Sequence, residues 1–196
     1  MRYDSEHKER TRERVLKEAA KAIRQDGPHK VGVAEVMAKA GLTHGGFYAH
    51  FSSKDDLIDQ AIGQMFKESG DRLAREIDAK STPAEALNAY LDFYLSPAHR
   101  DARTSGCPLP FLSADAPRLP EGSRGRYSSG VASLAARMAA LLAKTGRPDP
   151  EADASSALAE MVGAVALSRA EPDLARADEI LARSKRAVKR RLGLEA

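Results

Sequence analysis

Residues 33–57 read VAEVMAKAGLTHGGFYAHFSSKDDL, and this stretch decides the fold. Its first part repeats apolar residues at the spacing of an amphipathic helix, at Val33, Val36, Met37 and Ala40. Gly41 follows at the position where helices commonly end in the left-handed conformation, which glycine adopts without strain. A short helix, a tight glycine turn and a second short helix are the layout of a helix-turn-helix, whose second helix enters the major groove of DNA.

The second half of the stretch predicts where the next two helices begin. Thr43 can cap a second short helix, and Phe47 would face back onto the first. Ser53 opens a third helix, and Asp56 three residues later completes a capping-box pattern.

Four residues at the N-terminal end of the predicted second helix are candidate DNA-binding residues: Thr43, His44, Gly45 and Gly46. Each glycine weakens a helix by about 1 kcal/mol relative to alanine, so a purely structural helix gains nothing from the pair. Glycines suit a backbone that approaches another surface closely. We therefore expect this end of the helix to lie against DNA.

Three further residues are predicted to contact phosphate groups. Tyr48 and His50 can donate hydrogen bonds to phosphate oxygens. Lys54 lies in the first turn of the third helix, where its charge opposes the helix dipole unless both face a phosphate. The alternative is that Tyr48 and His50 are ordinary surface groups.

The stretch AGLTHGGFYAHFSSKDDLI, residues 40–58, resembles the DNA-binding signature of the TetR/AcrR family of bacterial transcriptional regulators. The matching positions are Ala40, Gly41, Tyr48, His50, Phe51, Ser53, Lys54 and Leu57. The resemblance implies an all-α fold with an N-terminal three-helix helix-turn-helix domain and a C-terminal helical ligand-binding and dimerisation domain. We predict residues 1–53 for the first domain and 54–196 for the second.

The sequence departs from the family pattern at two places. Gly32 stands where many relatives have a Thr or Ser that caps the first reading helix and touches phosphate. Gly45 and Gly46 replace side chains that relatives often use for base contact. This leaves Thr43 and His44 as the predicted base readers.

The composition is that of an ordinary globular protein. Hydrophobic residues make up 42% and charged residues 30% of the 196 residues, which excludes wholesale disorder. No apolar run approaches the roughly 18–20 residues that span a bilayer, and no secretory signal is visible, so we expect no membrane partner. The single cysteine fits a reducing, cytoplasmic location. A net charge of +3 is only mildly permissive of DNA binding, which would therefore depend on a few placed contacts.

Helical patterns continue to the C-terminus. Beyond the reading helices they predict helices from Lys54, from Thr82-Pro83, near Leu109–Ala114, around Val131–Leu142 and, as a pair, at the C-terminus. Residues 96–125 are proline-rich and predict a broken region.

The resemblance implies that the C-terminal pair of helices forms a homodimer interface, and the alternative is that both helices pack only on their own chain. Six cations between residues 183 and 191 could form a second nucleic-acid patch, but cations at a helix C-terminus more simply suit its dipole.

The middle helices carry aromatic and soft apolar residues typical of a ligand pocket. The predicted ligand-binding residues are Tyr90, Phe93, Tyr94, Phe111, Tyr127 and Met138. Their occupant would be a small-molecule inducer, and the alternative is that they are plain core.

Cys107, within SGCPLP at residues 105–110, is a redox candidate. Proline suits the first turn of a helix, so the thiol would lie near a helix N-terminus, where its pKa falls. The segment is similar to one in electrophile-sensing relatives, which carry a cysteine after a glycine. The alternative is a buried small hydrophobe.

Catalytic and metal-binding motifs are not found. The sequence has no Walker loop, no GxSxG, no HExxH and no paired cysteines, so we predict no enzyme activity, no cofactor and no metal. The predicted function is a ligand-responsive transcriptional regulator, a repressor released from a pseudo-palindromic operator in double-stranded DNA. The alternatives are a thiol-based sensor of the same fold acting through Cys107, or an all-helical small-molecule-binding protein or enzyme without a DNA role.

Overall fold

The computed structural model describes residues 2–194, with side chains from residue 6 onward; the outermost positions of the two predicted domains lie outside this range. Every regular element within it is helical. The α-helices are α1 (Arg2–Asp26), α2 (Val33–Lys39), α3 (Lys54–Asp78), α4 (Pro83–Tyr94), α5 (Pro97–Asp101), α6 (Leu109–Leu112), α7 (Glu121–Lys144), α8 (Pro150–Ala170) and α9 (Leu174–Leu192). Short 3₁₀ helices cover Pro28–Lys30, His44–Ala49 and Ala116–Arg118. No helix in residues 2–194 combines the length and apolarity needed to cross a membrane.

The glycine turn after α2 has the predicted geometry. Gly41 has φ of 73°, the left-handed conformation that other residues adopt only with strain. Its backbone N–H donates to the Ala38 carbonyl at 2.9 Å, and that of Leu42 donates to the Met37 carbonyl at 2.9 Å. These bonds satisfy carbonyls at the helix end and fix the direction in which the chain leaves α2.

The second reading helix is a 3₁₀ helix, which we call the recognition segment (His44–Ala49). Thr43 occupies its N-cap position with an extended backbone, but its side chain makes no capping hydrogen bond there. The two glycines explain the tighter form, because they lower helix propensity in a segment of only six residues.

The proline-rich region is more ordered than the sequence predicts. Within it α5 begins after Ser96, whose hydroxyl accepts a hydrogen bond from the His99 backbone N–H at 3.2 Å. The short helix predicted near Leu109–Ala114 is present as α6. Helix α7 begins at Glu121, ahead of the apolar stripe that starts at Val131, because Pro120 supplies the first helical carbonyl.

The chain divides into two compact units by contact. The first comprises Met1–Lys67 and Arg103–Ser128, and the second comprises Glu68–Ala102 and Ser129–Ala196. These units are defined by contacts between residues, whereas the sequence-based domains are defined by the helix-turn-helix pattern. The domain boundary after residue 53 stays a prediction.

The first unit has one apolar core, to which α1, α2, the recognition segment and the start of α3 contribute. Its buried side chains include Val15, Ile23, Met37, Phe47, Phe51, Leu57, Ile62 and Met65. Burying a phenylalanine side chain stabilises by about 2–3 kcal/mol, so Phe47 anchors the recognition segment to this core.

The second unit contains α4, α5, the α8–α9 pair and the C-terminal parts of α3 and α7. Thr82 and Glu85 form a reciprocal capping box at the start of α4, as the sequence predicts. The buried side chains include Leu87, Tyr90, Tyr94, Met138, Leu158, Met161, Val165, Leu181 and Val188. Helix α8 packs along α9, and α9 ends at Gly193 in the left-handed conformation.

Candidate nucleic-acid interface

The recognition segment has one buried face and one exposed polar face. Phe47 is 2% exposed and its ring stacks on that of Phe51, with 5.6 Å between centroids. Thr43 and His44 are exposed, and Tyr48 is 74% exposed. These exposed side chains are therefore accessible to a binding partner.

The two glycines of the recognition segment lie in different surroundings. A Cβ built at Gly45 would meet no other atom within 4 Å. One built at Gly46 would lie 3.7 Å from Cε of Met37, which is ordinary van der Waals contact. Gly45 therefore faces open space, whereas Gly46 faces α2.

Lys54 is exposed at the first turn of α3 and reaches back to an earlier turn. Its Nζ donates to the backbone carbonyl of His29, at a distance of 3.2 Å. The ammonium group is thereby held beside the 3₁₀ turn Pro28–Lys30, in which His29 and Lys30 are exposed. Lysine donates up to three hydrogen bonds, so this contact leaves donors for a phosphate.

The start of α3 is capped by a variant of the predicted box. The Ser53 hydroxyl accepts from the Asp56 backbone N–H at 3.0 Å. The Asp56 carboxylate accepts from the backbone N–H of Ser52 at 2.9 Å, one residue before the position a capping box uses. The Gln60 amide and then the Ser52 N–H hold the pKa of Asp56 below its ordinary value.

His50 is half-buried at the end of the recognition segment. Within the described part of the chain, its buried Nδ1 has no hydrogen-bond partner. Burial, and then the charges of Lys8 and Arg12, lower the pKa of His50 from its ordinary value of 6.5. His50 is therefore neutral at pH 7 before any phosphate approaches.

Arg12 of α1 contacts both the recognition segment and α3. Its Nε donates to the His50 backbone carbonyl at 3.4 Å, and its Nη2 donates to the side-chain oxygen of Gln60. The guanidinium lies over the Phe51 ring, 5.3 Å from the centroid.

The predicted ligand-binding residues fall into both units. Tyr90, Tyr94 and Met138 are fully buried in the second unit. Phe111 and Tyr127 belong to the first unit, where both pack against its apolar core.

Phe93 of the second unit has one charged and one titratable neighbour. The Arg72 guanidinium lies 3.7 Å from the centre of its ring, a cation–π contact. The His99 ring is 5.1 Å away on another side.

An open cavity of about 440 Å³ lies elsewhere in the second unit. It is lined by Ala135, Ala136, Ala139, Ala140, Ala143, Pro150 and Glu151. The six predicted residues do not line this cavity, and their role in ligand binding stays a prediction.

His99 is a buried histidine in the second unit, 1% exposed. Its Nδ1 donates to the Tyr94 carbonyl at 2.7 Å. Burial lowers its pKa to about 4, against a smaller raising effect of the Tyr94 hydrogen bond. Arg169 fixes the same turn by donating to the carbonyls of His99 and Arg100.

Cys107 lies just before α6, with Pro108 at the N-cap position. The thiol is only 4% exposed. Gly106 has φ of 95°, and its carbonyl accepts a hydrogen bond from Arg24 Nε at 3.2 Å. The position near a helix start is as expected, but α6 has only four residues, and the burial of Cys107 favours a packing role.

The C-terminal cations of α9 are engaged largely in ion pairs. Lys185 and Lys189 both contact Asp92, at 3.2 and 2.8 Å, and Arg191 contacts Glu160 at 2.8 Å. These pairs support the structural interpretation of the basic cluster over a second DNA site.

No three His, Cys, Asp or Glu residues in the described range form a group that could hold a metal ion.

Comparison with known proteins agrees with this geometry. The family model described as bacterial regulatory proteins, tetR family, matches residues 15–61. The chain is 28% identical over 173 residues to the uncharacterized HTH-type transcriptional regulator Rv0196 of Mycobacterium tuberculosis, covering 83% of this chain and 86% of that protein. The structure of a TetR transcriptional regulator from Chloroflexus aurantiacus matches with a TM-score of 0.78 and 26% identity, covering 93% and 94% of the two chains. These findings support a TetR-type transcriptional regulator.

Another solved TetR-like fold, the reduced form of Escherichia coli NemR, has a TM-score of 0.80 at 22% identity over 92% of this chain and 95% of that one. Together the matches confirm the all-α fold class and the helix-turn-helix DNA-binding function predicted from residues 40–58. Regulators of this family bind DNA operators as dimers and take small-molecule ligands.

Two residues that support the recognition segment, Arg12 and Gln60, could not be identified from the sequence. Arg12 lies on the polar side of α1 among other charged residues, and no motif distinguishes it. Gln60 appears only as a polar position of α3. Their roles depend on contacts between residues 48 positions apart, which local patterns do not record.

Proposed function

We propose that this regulator is a homodimeric, ligand-responsive repressor that binds a pseudo-palindromic operator. Thr43 and His44 read base edges, Gly45 permits close approach to DNA while Gly46 lies against α2, and Tyr48, His50 and Lys54 contact phosphates. The observation that carries the proposal is the recognition segment itself. Its polar residues are exposed while Phe47 holds it firmly on the core. We place its action in the cytoplasm and by binding, not by catalysis.

A mobility-shift assay tests DNA binding. The probe is the duplex immediately upstream of the protein's own coding sequence, with a scrambled duplex of equal length as control. We expect selective binding to the upstream duplex that weakens steeply with salt, because phosphate contacts release counterions. An absence of binding to either duplex at low salt would favour a small-molecule-binding protein or enzyme without a DNA role.

The α8–α9 pair supports the homodimer part of the proposal. Leu167 near the end of α8 and Leu174 at the start of α9 are large apolar side chains that are 64% and 68% exposed. A second copy of the chain would cover them, as the C-terminal helices do in two-fold bundles. Leu167→Glu should yield a monomer by sedimentation velocity, whereas Ser133→Glu on the exposed side of α7 should remain a dimer. A Leu167→Glu variant that is still dimeric would exclude this interface.

An inducer must bind the DNA-incompetent state more tightly, since equal affinity for both states shifts nothing. Phe93 is the best candidate for a ligand contact, because it is only half-buried and already accepts a cation on its ring face. Phe93→Ala should therefore change release by inducer more than it changes operator affinity. Equal loss of both, with a lower melting temperature, would favour plain core.

A thiol sensor acting through Cys107 is the second candidate. It is favoured by the position of Cys107 ahead of α6, and the similar NemR fold was solved in a reduced form. Oxidants would then release DNA from the wild type but not from Cys107→Ser. The alkylation rate against pH gives the thiol pKa. A value at or above about 8.5, the ordinary value for a thiol, would exclude the sensor.

A further inference from the structure

Arg12 links α1 to the residues that follow the recognition segment and to α3. Its guanidinium donates to the His50 carbonyl and to Gln60, and it stacks over Phe51. The partners lie 38 and 48 residues away along the chain. One side chain of α1 therefore holds both the end of the recognition segment and the first turns of α3.

The Gln60 contact continues to the start of α3. Gln60 Nε2 donates to Asp56 Oδ1 at 2.6 Å. Asp56 Oδ2 accepts from the Ser52 backbone N–H at 2.9 Å and from its hydroxyl at 3.0 Å. Arg12, Gln60, Asp56 and Ser52 thus form a continuous relay of charge-assisted hydrogen bonds.

The relay contacts His50, Ser52 and Asp56, and Lys54 lies between these residues in the sequence. Its two ends bind the backbone, at the His50 carbonyl and the Ser52 N–H. We propose that Arg12 is a positioning residue for DNA binding, which sets the backbone of residues 50–54 through Gln60 and Asp56 so that the phosphate contacts are pre-formed. This inference rests on the proposed DNA-binding function.

The choice of arginine follows from the geometry. A guanidinium presents several donors in a rigid fork and stacks on an aromatic ring, so it can serve the carbonyl, the amide and Phe51 at once. Lysine keeps the charge but is a point donor. If only the charge of Arg12 matters, Arg12→Lys should bind DNA like the wild type. If Arg12 acts by positioning, Arg12→Lys should bind more weakly.

The experiment uses the full-length protein and the upstream duplex as probe. Arg12→Met, Arg12→Lys and Gln60→Met remove the fork or its acceptor, and Arg14→Met is the matched control. Arg14 is exposed two positions along α1, and residues two apart do not share a helix face. Operator affinity, its salt slope, the melting temperature and the amide exchange of residues 50–56 are measured for each variant.

We expect Arg12→Met and Gln60→Met each to weaken binding about tenfold, the equivalent of a lost hydrogen bond to a charged group. The double variant should be little weaker than either single one, because both act through one relay. Arg12→Lys should stay several-fold weak. The salt slope should not change, and exchange should accelerate locally at residues 50–56, whereas Arg14→Met should match the wild type in affinity and exchange.

Three results would overturn the inference. A salt slope lowered by about one unit per half-site would make Arg12 a direct phosphate contact. Unchanged affinity in Arg12→Met would remove any role. A lower melting temperature with exchange accelerated throughout the first unit would show general stabilisation. If the wild type fails to bind the duplex, the proposed function fails, and local exchange alone then decides whether Arg12 positions the segment.

Discussion

Arg126 of α7 donates two parallel hydrogen bonds to the Asp59 carboxylate of α3. Its Nε lies 2.9 Å from Oδ1, and its Nη2 lies 2.6 Å from Oδ2. The arginine passes directly over Gly63, where an added Cβ would lie 3.0 Å from Arg126 Cδ. The absence of a side chain at Gly63 therefore leaves room for Arg126 to lie close against α3.

Replacing Gly63 tests this arrangement in a double-mutant cycle. Alanine in place of glycine within a helix stabilises by about 0.5–1 kcal/mol, but here it pushes against Arg126. We expect Gly63→Ala to change the free energy of unfolding little in the wild type and to stabilise by up to about 1 kcal/mol in an Arg126→Ala background. Urea denaturation of the four proteins measures the coupling. Equal effects of Gly63→Ala in both backgrounds would show that the glycine and the arginine are independent.

Lys54→Ala should weaken binding to operator and to random duplexes alike. A lysine that contacts phosphate carries no sequence information, so its loss lowers the salt slope by about one unit per half-site. The exposed hydrogen bond to the His29 carbonyl is worth little, so stability should change by less than about 0.5 kcal/mol. Lys80→Ala, at an exposed position after α3, is the control in titrations from low to high salt. A change in the preferred base would contradict the phosphate role.

Gly45 gives a cleaner test of close approach than Gly46 does. Gly45→Leu places a side chain in open space, so the dimer should fold normally yet lose operator binding through collision with DNA. Gly46→Leu should also abolish binding but additionally lower the melting temperature, because the new side chain starts at Met37. Gly125→Leu, at an exposed and equally open position of α7, should bind like the wild type. Normal operator binding by Gly45→Leu would mean that this glycine does not face DNA.

His99 should make stability fall at mildly acidic pH. Its pKa is about 4 in the folded protein and 6.5 as the ordinary value, so between these pH values only the unfolded chain takes up the proton. The part of the free energy of unfolding that depends on a neutral His99 is fully present above pH 6.5. It is lost as pH falls towards 4, and the loss reaches at most about 3 kcal/mol. His99→Asn should therefore show a shallower loss of stability than the wild type between pH 7.5 and pH 5. Parallel pH profiles in urea denaturation would exclude His99 as the source.

The reading surface could be predicted because its signals are local. Gly41 after an apolar helical repeat predicts the turn, and Phe47 predicts the inward face of the next segment. The 3₁₀ form of the recognition segment was not predicted, although its two glycines give a physical reason for it. The motif at residues 105–110 predicts that Cys107 lies near a helix start, as it does, but the burial of Cys107 depends on neighbours that this motif does not contain.

The sequence by itself determined the helical class, the helix-turn-helix and the family, because periodicity, capping and glycine turns act between residues a few positions apart. Only the tertiary structure decided which charges meet and which groups lose water. Arg12 finds Gln60 across 48 residues, Arg126 finds Asp59 across 67, and His99 is desolvated by the elements packed around it. Ion pairing and desolvation depend on distance in space, and a chain of mostly amphipathic helices offers many polar faces among which only packing chooses.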